Sequence, residues 1–154
     1  MNIQTLKKFV LDSNKNTYST GNESLNKKEK DGSTTLTYTK GDWKFHDNFF
    51  GGEPYGGREV VFYKDNPIWI MVYYGTVKKG VSPEVIYPVL QKALRLMPKD
   101  SPFRGPSMMK EKTYTYKNEW EGTMEGFSGT ETIVIDKVVL YTAHYMGGLV
   151  DRKK

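Results

Sequence analysis

The spacing of apolar positions alternates between a helical and a two-residue period, and each switch marks an element. In "IQTLKKFVLDSN", Ile3, Leu6, Phe9 and Val10 share one helical face while Lys7 and Lys8 fall off it. This predicts a short amphipathic helix ending near Asn14. The polar, turn-rich "STGNESLNKKEKDGS" reads as a mobile loop. "TTLTYT" and "DWKFHDNFF" then alternate, the second with Trp43, Phe45 and Asp47 on one side and Lys44, His46 and Asn48 on the other. "REVVFYKDNPIWIMVYYG" reads as two strands joined at "KDNP", where Asp, Asn and Pro each suit a turn.

"SPEVIYPVLQKALRLMP" is the second predicted helix. Ser82 suits its N-cap, Pro83 its first turn and Glu84 its dipole. Pro88 shifts the expected start of regular helix towards itself, with a kinked turn before it. Val89, Leu90, Ala93, Leu94 and Met97 form the buried stripe. "PKDSPFRGP" stops the helix, and strands follow in "KTYTYKNEW", "GTMEGF", "TETIVID" and "KVVLYTAHYM", closed by "GGLV".

Displaced by about 72 residues, "EPYGGREVVFYKDNPIWIMVYYG" lies over "EGFSGTETIVIDKVVLYTAHYMG" without a gap. Glu53 meets Glu125, Gly57 meets Gly129, Glu59 meets Glu131, Trp69 meets Tyr141 and Tyr73 meets Tyr145. The expected fold is therefore α+β: one domain over residues 1–154, its antiparallel sheet built from two similar helix-plus-strands halves, about 1–80 and 81–150, with helices on one face. Alternation puts Ile68, Ile70 and Val72 on one side of their strand and Trp69, Met71 and Tyr73 on the other. Helices are expected over the aliphatic side. The aromatic side is then a concave, ring-lined surface, and the pairs Gly51–Gly52 and Gly56–Gly57 permit its corners.

Composition narrows the function classes. A chain of 154 residues with an aromatic share of 14% carries much of its burial in rings. The formal net charge of +5 is modest and scattered, its basic runs short and solvated. With no cysteine, disulfides, thiolate nucleophiles and cysteine-ligated metals are excluded. No segment approaches the roughly 20 apolar residues that span a bilayer, and no secretory signal pattern is present, so a cytoplasmic location without membrane contact is expected.

No catalytic or metal motif stands out. His46 and His144, with Asp47, Glu53, Glu59, Glu125 and Glu131, offer acid–base groups without the spacing of a zinc site. Glu59 and Glu131 stand at equivalent points of the two halves, where paired carboxylates could do hydrolytic work, although Arg58 is the simplest expected partner for Glu59. "GGEPYGG" lacks the lysine and hydroxyl of a phosphate loop. Arg104, between prolines, reads as an exposed residue of a helix-exit turn. Lys40, Lys44, Lys112 and Lys117 lie near Trp43, Tyr114, Tyr116 and Trp120, the interleaving that single-stranded nucleic acid requires, but acids are interleaved too.

"FVLDSNKNTY", "GDWKFHDNFFGGEPYGGREVVFYKDNPIWIMVYYG", "ALRLMPKDSPFRGP" and "GFSGTETIVI…YMGGLV" together resemble an uncharacterised bacterial domain. That domain occurs alone or C-terminal to an Xre-type helix-turn-helix in regulators of transcription. The resemblance runs from Phe9 to Val150 and implies an effector or interaction module, with no catalytic residues to transfer. Two features depart from it: no helix-turn-helix pattern precedes Phe9, and Met146 stands where a histidine is expected, with His144 two positions earlier.

The reading that follows is a non-enzymatic module binding a small molecule or a protein, a second copy of the chain included, without a cofactor. Its expected contact residues are Trp43, Phe45, Trp69, Tyr73, Tyr141 and Tyr145, with His46 and Glu59 as polar anchors. Single-stranded nucleic-acid binding and a hydrolase using the Glu and His groups are the alternatives.

Overall fold

The computed structural model describes residues 2–151. Helix α1 (Ile3–Asn16) starts at Asn2, whose side chain accepts from the Gln4 N–H at 2.8 Å. Helix α2 (Pro83–Arg95) starts at Ser82, whose hydroxyl accepts from the Glu84 N–H at 3.3 Å. The expected break at Pro88 is absent, and the helix runs through it. Pro88 deprives only the Glu84 carbonyl of its partner, and Glu84 lies in the first turn on the exposed surface, where an unpaired carbonyl costs little.

Nine strands form one antiparallel sheet: β1 (Lys27–Lys28), β2 (Thr34–Lys40), β3 (Trp43–Gly51), β4 (Tyr55–Tyr63), β5 (Asn66–Val77), β6 (Met108–Glu111), β7 (Tyr114–Thr123), β8 (Gly126–Ile135) and β9 (Val138–Leu149). Their order is β1-β2-β3-β4-β5-β9-β8-β7-β6. At the centre Tyr73 of β5 faces Tyr145 of β9. The β4–β5 turn is the pair Lys64–Asp65 and the β8–β9 turn is Asp136–Lys137, all four with positive φ, the geometry that matches a hairpin's twist. Each hairpin also shifts register once, at Val61/Phe62 and at Ile133/Val134. The stretch expected to be a mobile loop begins inside one short 3-10 turn, Tyr18–Thr20, and holds a second, Glu23–Leu25, and the edge strand β1.

The expected distribution of rings is inverted. Leu6, Phe9 and Val10 of α1 pack with Phe45, Val61, Trp69, Met71 and Tyr73. Ile86, Val89, Leu90, Ala93 and Leu94 of α2 pack with Tyr116, Ile133, Tyr141 and Ala143. Helix residues thus bury the aromatic side of β5 and β9, while Val72, Tyr74 and Met146 on the other side stay exposed. The physical reason is area: a ring buries more apolar surface than a valine or isoleucine, so covering the ring side is the more stabilising choice. Glycines on neighbouring strands give the rings room. A Cβ on Gly57 would lie 2.7 Å from the Tyr73 hydroxyl, and one on Gly129 would lie 2.3 Å from that of Tyr145.

Candidate functional site

Between the helices and the ring-bearing side of the sheet lies a cavity of about 190 Å³. Phe45, Phe49, Tyr55 and Tyr73 supply rings to its wall, Leu94 and Met97 aliphatic surface, and Asp47, Glu59 and Arg104 charge. Gly51 and Gly52, also in the wall, are exposed, so the cavity meets solvent beside the turn after β3. That turn is fastened to α2: the Tyr87 hydroxyl donates to the Gly52 carbonyl at 2.5 Å and contacts Glu53 Oε2 at 2.6 Å. Glu53 Oε1 in turn accepts from the Val77 N–H at 2.8 Å.

Two carboxyl groups meet at this wall. Asp47 on β3 and Glu59 on β4 are direct cross-strand partners. Asp47 accepts from the Tyr73 hydroxyl at 2.5 Å. No donor among the described residues reaches the Glu59 carboxyl, which interacts with Asp47, Arg104 and Glu131 through charge alone. Glu59 is half-buried, and the surface its carboxyl keeps is cavity wall. Burial, with Asp47 nearby, pushes Glu59 up to about 8, against a weaker opposing pull from Arg104. Burial likewise raises Asp47 to about 6, the Tyr73 hydrogen bond and Arg104 holding it down. The pair therefore retains a proton near neutrality.

A closed counterpart sits beside it. Glu131 on β8 has 0% exposure, and its cross-strand partner is Asn118 on β7. Arg104 donates to Glu131 Oε1 from Nε at 3.0 Å and from Nη2 at 2.5 Å. The Tyr116 hydroxyl donates to Oε2 at 2.6 Å, and that of Tyr141 to Oε1 at 3.2 Å. The Tyr145 hydroxyl donates to Asn118 at 2.8 Å, as that of Tyr73 does to Asp47. Burial alone would lower Arg104, but Glu131 and the surrounding tyrosines hold its guanidinium firmly charged.

Of the sequence-predicted contact residues, Phe45, Glu59 and Tyr73 line the cavity. Tyr141 belongs to the Glu131 network and Tyr145 bonds Asn118. Trp69 is fully buried in the core, and Trp43 packs against Phe9 and Tyr63 at the core's edge. His46 alternates to the other side of β3, where it lines an open hollow with Arg58. It is not brought together with Glu59, and neither is Arg58. Burial and the charges of Arg58 and Lys44 lower its pKa. The basic–aromatic set is divided too, since Tyr116 is buried. Arg104, read from sequence as exposed, is almost fully buried and is the cation of the network.

The sequence reading weighed Asp47 only as one of several acid–base groups, and placed neither Asp47 nor Arg104 among the contact residues. Asp47 shares an alternation face with Phe45, and an acid on a ring-bearing face is a signal that could have marked it. The uncovered side of the sheet carries a wide trough, lined by Tyr74, Trp120, His144 and Met146 among others, but it is open and no buried charge converges on it. Among the described residues no cluster of His, Asp and Glu is arranged to hold a metal ion. No helix of the described residues is long and apolar enough to cross a membrane.

These features define a class: an α+β domain with a nine-stranded antiparallel sheet and a ring-walled, acid-bearing cavity beneath its helices. The chain belongs to the family described as a domain of unknown function, DUF5680, whose model matches residues 47–150. No curated protein and no solved structure matches it.

Proposed function

We propose that this chain is a non-enzymatic, effector-type module that takes a small molecule into the cavity between its helices and its sheet. The observation that carries the reading is Glu59: a half-buried acid that no donor among the described residues reaches, at the wall of a cavity large enough for a small ligand. A carboxyl drawn out of bulk water without a protein donor costs stability, and such groups concentrate at functional sites.

The same reading treats the molecule as two related halves sharing a sheet, with their helices over one face. Support comes from coincidences at a displacement of about 72 residues: both hairpin turns, both register shifts, and the pairs Gly57/Gly129, Glu59/Glu131 and Tyr73/Tyr145. Glu131 is satisfied by Tyr116, Tyr141 and Arg104. By register the first half has Phe45 in place of Tyr116, and by alignment Trp69 in place of Tyr141. One half has kept a closed polar core; the other has lost its donors and opened. The likeness to domains fused to helix-turn-helix units in bacterial regulators supports a cytoplasmic effector role linked to transcription.

A thermal-shift screen against a metabolite panel tests this, run in parallel on Met97→Trp, which fills the cavity from its half-buried rim. Compounds that stabilise the native protein and not the filled variant are expected. Compounds acting equally on both, or none acting on either, would contradict the reading.

A further inference from the structure

The cavity's chemistry specifies its ligand more closely than its existence does. Its wall carries two carboxyl groups, Asp47 and Glu59, and one guanidinium, that of Arg104, with the fully buried Glu131 behind the wall. Arg104 is committed through two hydrogen bonds to Glu131. Asp47 has a single neutral donor, the Tyr73 hydroxyl, and Glu59 has none. The cavity is thus short of positive charge and short of donors at one place, the cross-strand Asp47–Glu59 pair.

The molecule itself shows what a carboxyl in this setting accepts. At the position equivalent to Glu59, Glu131 is held by a planar cation and two hydroxyls. The first half offers Phe45 and Phe49 as apolar walls instead, with the Tyr55 ring on a third side. An enclosed cavity of roughly 150 Å³ holds benzene; this one, at about 190 Å³, has room for one ring and a short polar substituent. A charge-assisted hydrogen bond in such a place is about twice as strong as a neutral one.

We propose that the cavity is a receptor site for a small organic cation, its protonated amine or amidine nitrogen lying between Asp47 and Glu59 and its single-ring or similarly sized apolar body lying against Phe45, Phe49 and Tyr55. This rests on the reading of the cavity as a binding site and adds the ligand's charge and size.

The test is isothermal titration of the full chain with four probes of one size: benzylamine, benzamidine, benzyl alcohol and benzoate. At least one of the two cations is expected to bind about tenfold or more tightly than the alcohol, the difference of one charged hydrogen bond, and benzoate is expected not to bind. Glu59→Gln, which keeps the side-chain shape, should weaken the cation by about tenfold or more, while Glu121→Gln on the open side should leave it unchanged. Circular dichroism confirms that each variant is folded. Equal binding of the alcohol, or binding of benzoate, overturns the cation assignment and leaves a ligand cavity of other specificity. Cation binding that survives Glu59→Gln overturns the placement of the charge. If none of the four binds, the cation site falls; whether the cavity binds anything is then read from the metabolite screen with Met97→Trp.

Discussion

Replacing Glu59 by glutamine should make this protein more stable, and should do so only where the acid is ionised in the unfolded chain. The folded value near 8 lies above the ordinary 4.5 because burial and Asp47 disfavour the charged form. A raised acid titration means that folding stability is undiminished below about pH 4.5, falls as pH rises through the interval, and levels off above about 8. Each pH unit inside the interval costs about 1.4 kcal/mol. From 4.5 to 7 the cost is on the order of 3 kcal/mol. Glutamine cannot ionise and escapes that cost. For a chain of this length about 1 kcal/mol corresponds to roughly 2–4 °C of melting temperature, so Glu59→Gln should melt roughly 6–12 °C higher at pH 7. At pH 4 the two proteins should melt together. Urea denaturation of both across pH 4 to 9 measures the difference directly, because the titrating groups other than its partner Asp47 cancel. A variant less stable than the native chain at pH 7, or a difference that does not vary with pH, would refute the argument that Glu59 stands in the cavity wall without a donor.

Other outcomes follow from the same geometry. Arg104→Met should cost about 3–5 kcal/mol in urea unfolding, because it leaves Glu131 buried beside two tyrosines without its cation; the double change Arg104→Met with Glu131→Gln should recover part of that loss. Gly57→Ala should cost about 1–3 kcal/mol, since its Cβ would meet the Asn48 carbonyl at 2.5 Å and the Tyr73 hydroxyl at 2.7 Å. Gly126→Ala, with nothing within 4 Å, should fall within about 0.5 kcal/mol of the native protein. Tyr73→Phe should lose about 1–2 kcal/mol and move the Asp47 titration upward, read by carboxyl NMR, because the hydroxyl is what holds it down. His46→Ala should leave binding of any cavity ligand unaltered, since His46 lies on the other side of β3.

Much of the fold was legible in the sequence because periodicity and caps are local. Asn2 caps a helix that begins where the spacing of Ile3, Leu6 and Phe9 places it, and Ser82 caps the second as its type suggests, although Pro88 displaced the expected start of regular helix. The strands of both hairpins could be read from alternation, although "GTMEGF", expected to be a strand, holds the Met124–Glu125 turn between β7 and β8. Which side of the sheet the helices cover could not be, because alternation separates two faces without ranking them. The inverted expectation at Trp69 and Tyr73 came from treating rings as a surface feature, where their area makes them core. The site was half visible. Phe45, Glu59 and Tyr73 were marked by their positions on strands, whereas Arg104 was not. It sits in an irregular segment whose course depends on Glu131 reaching it across 27 residues of sequence. The pairing of Glu59 with Asp47 is a matter of β3–β4 register, which the turn at Gly51–Gly52 sets and which no local pattern reveals.

The account turns on the ionisation of one side chain, and carboxyl-carbon NMR of the native protein measures it most directly. The Glu59 side-chain resonance should titrate near 8 in the free protein, and saturating benzylamine should move that midpoint lower as the cation favours the charged form. An ordinary glutamate midpoint near 4.5, unmoved by the amine, would contradict both the isolation of this carboxyl and the binding role assigned to it.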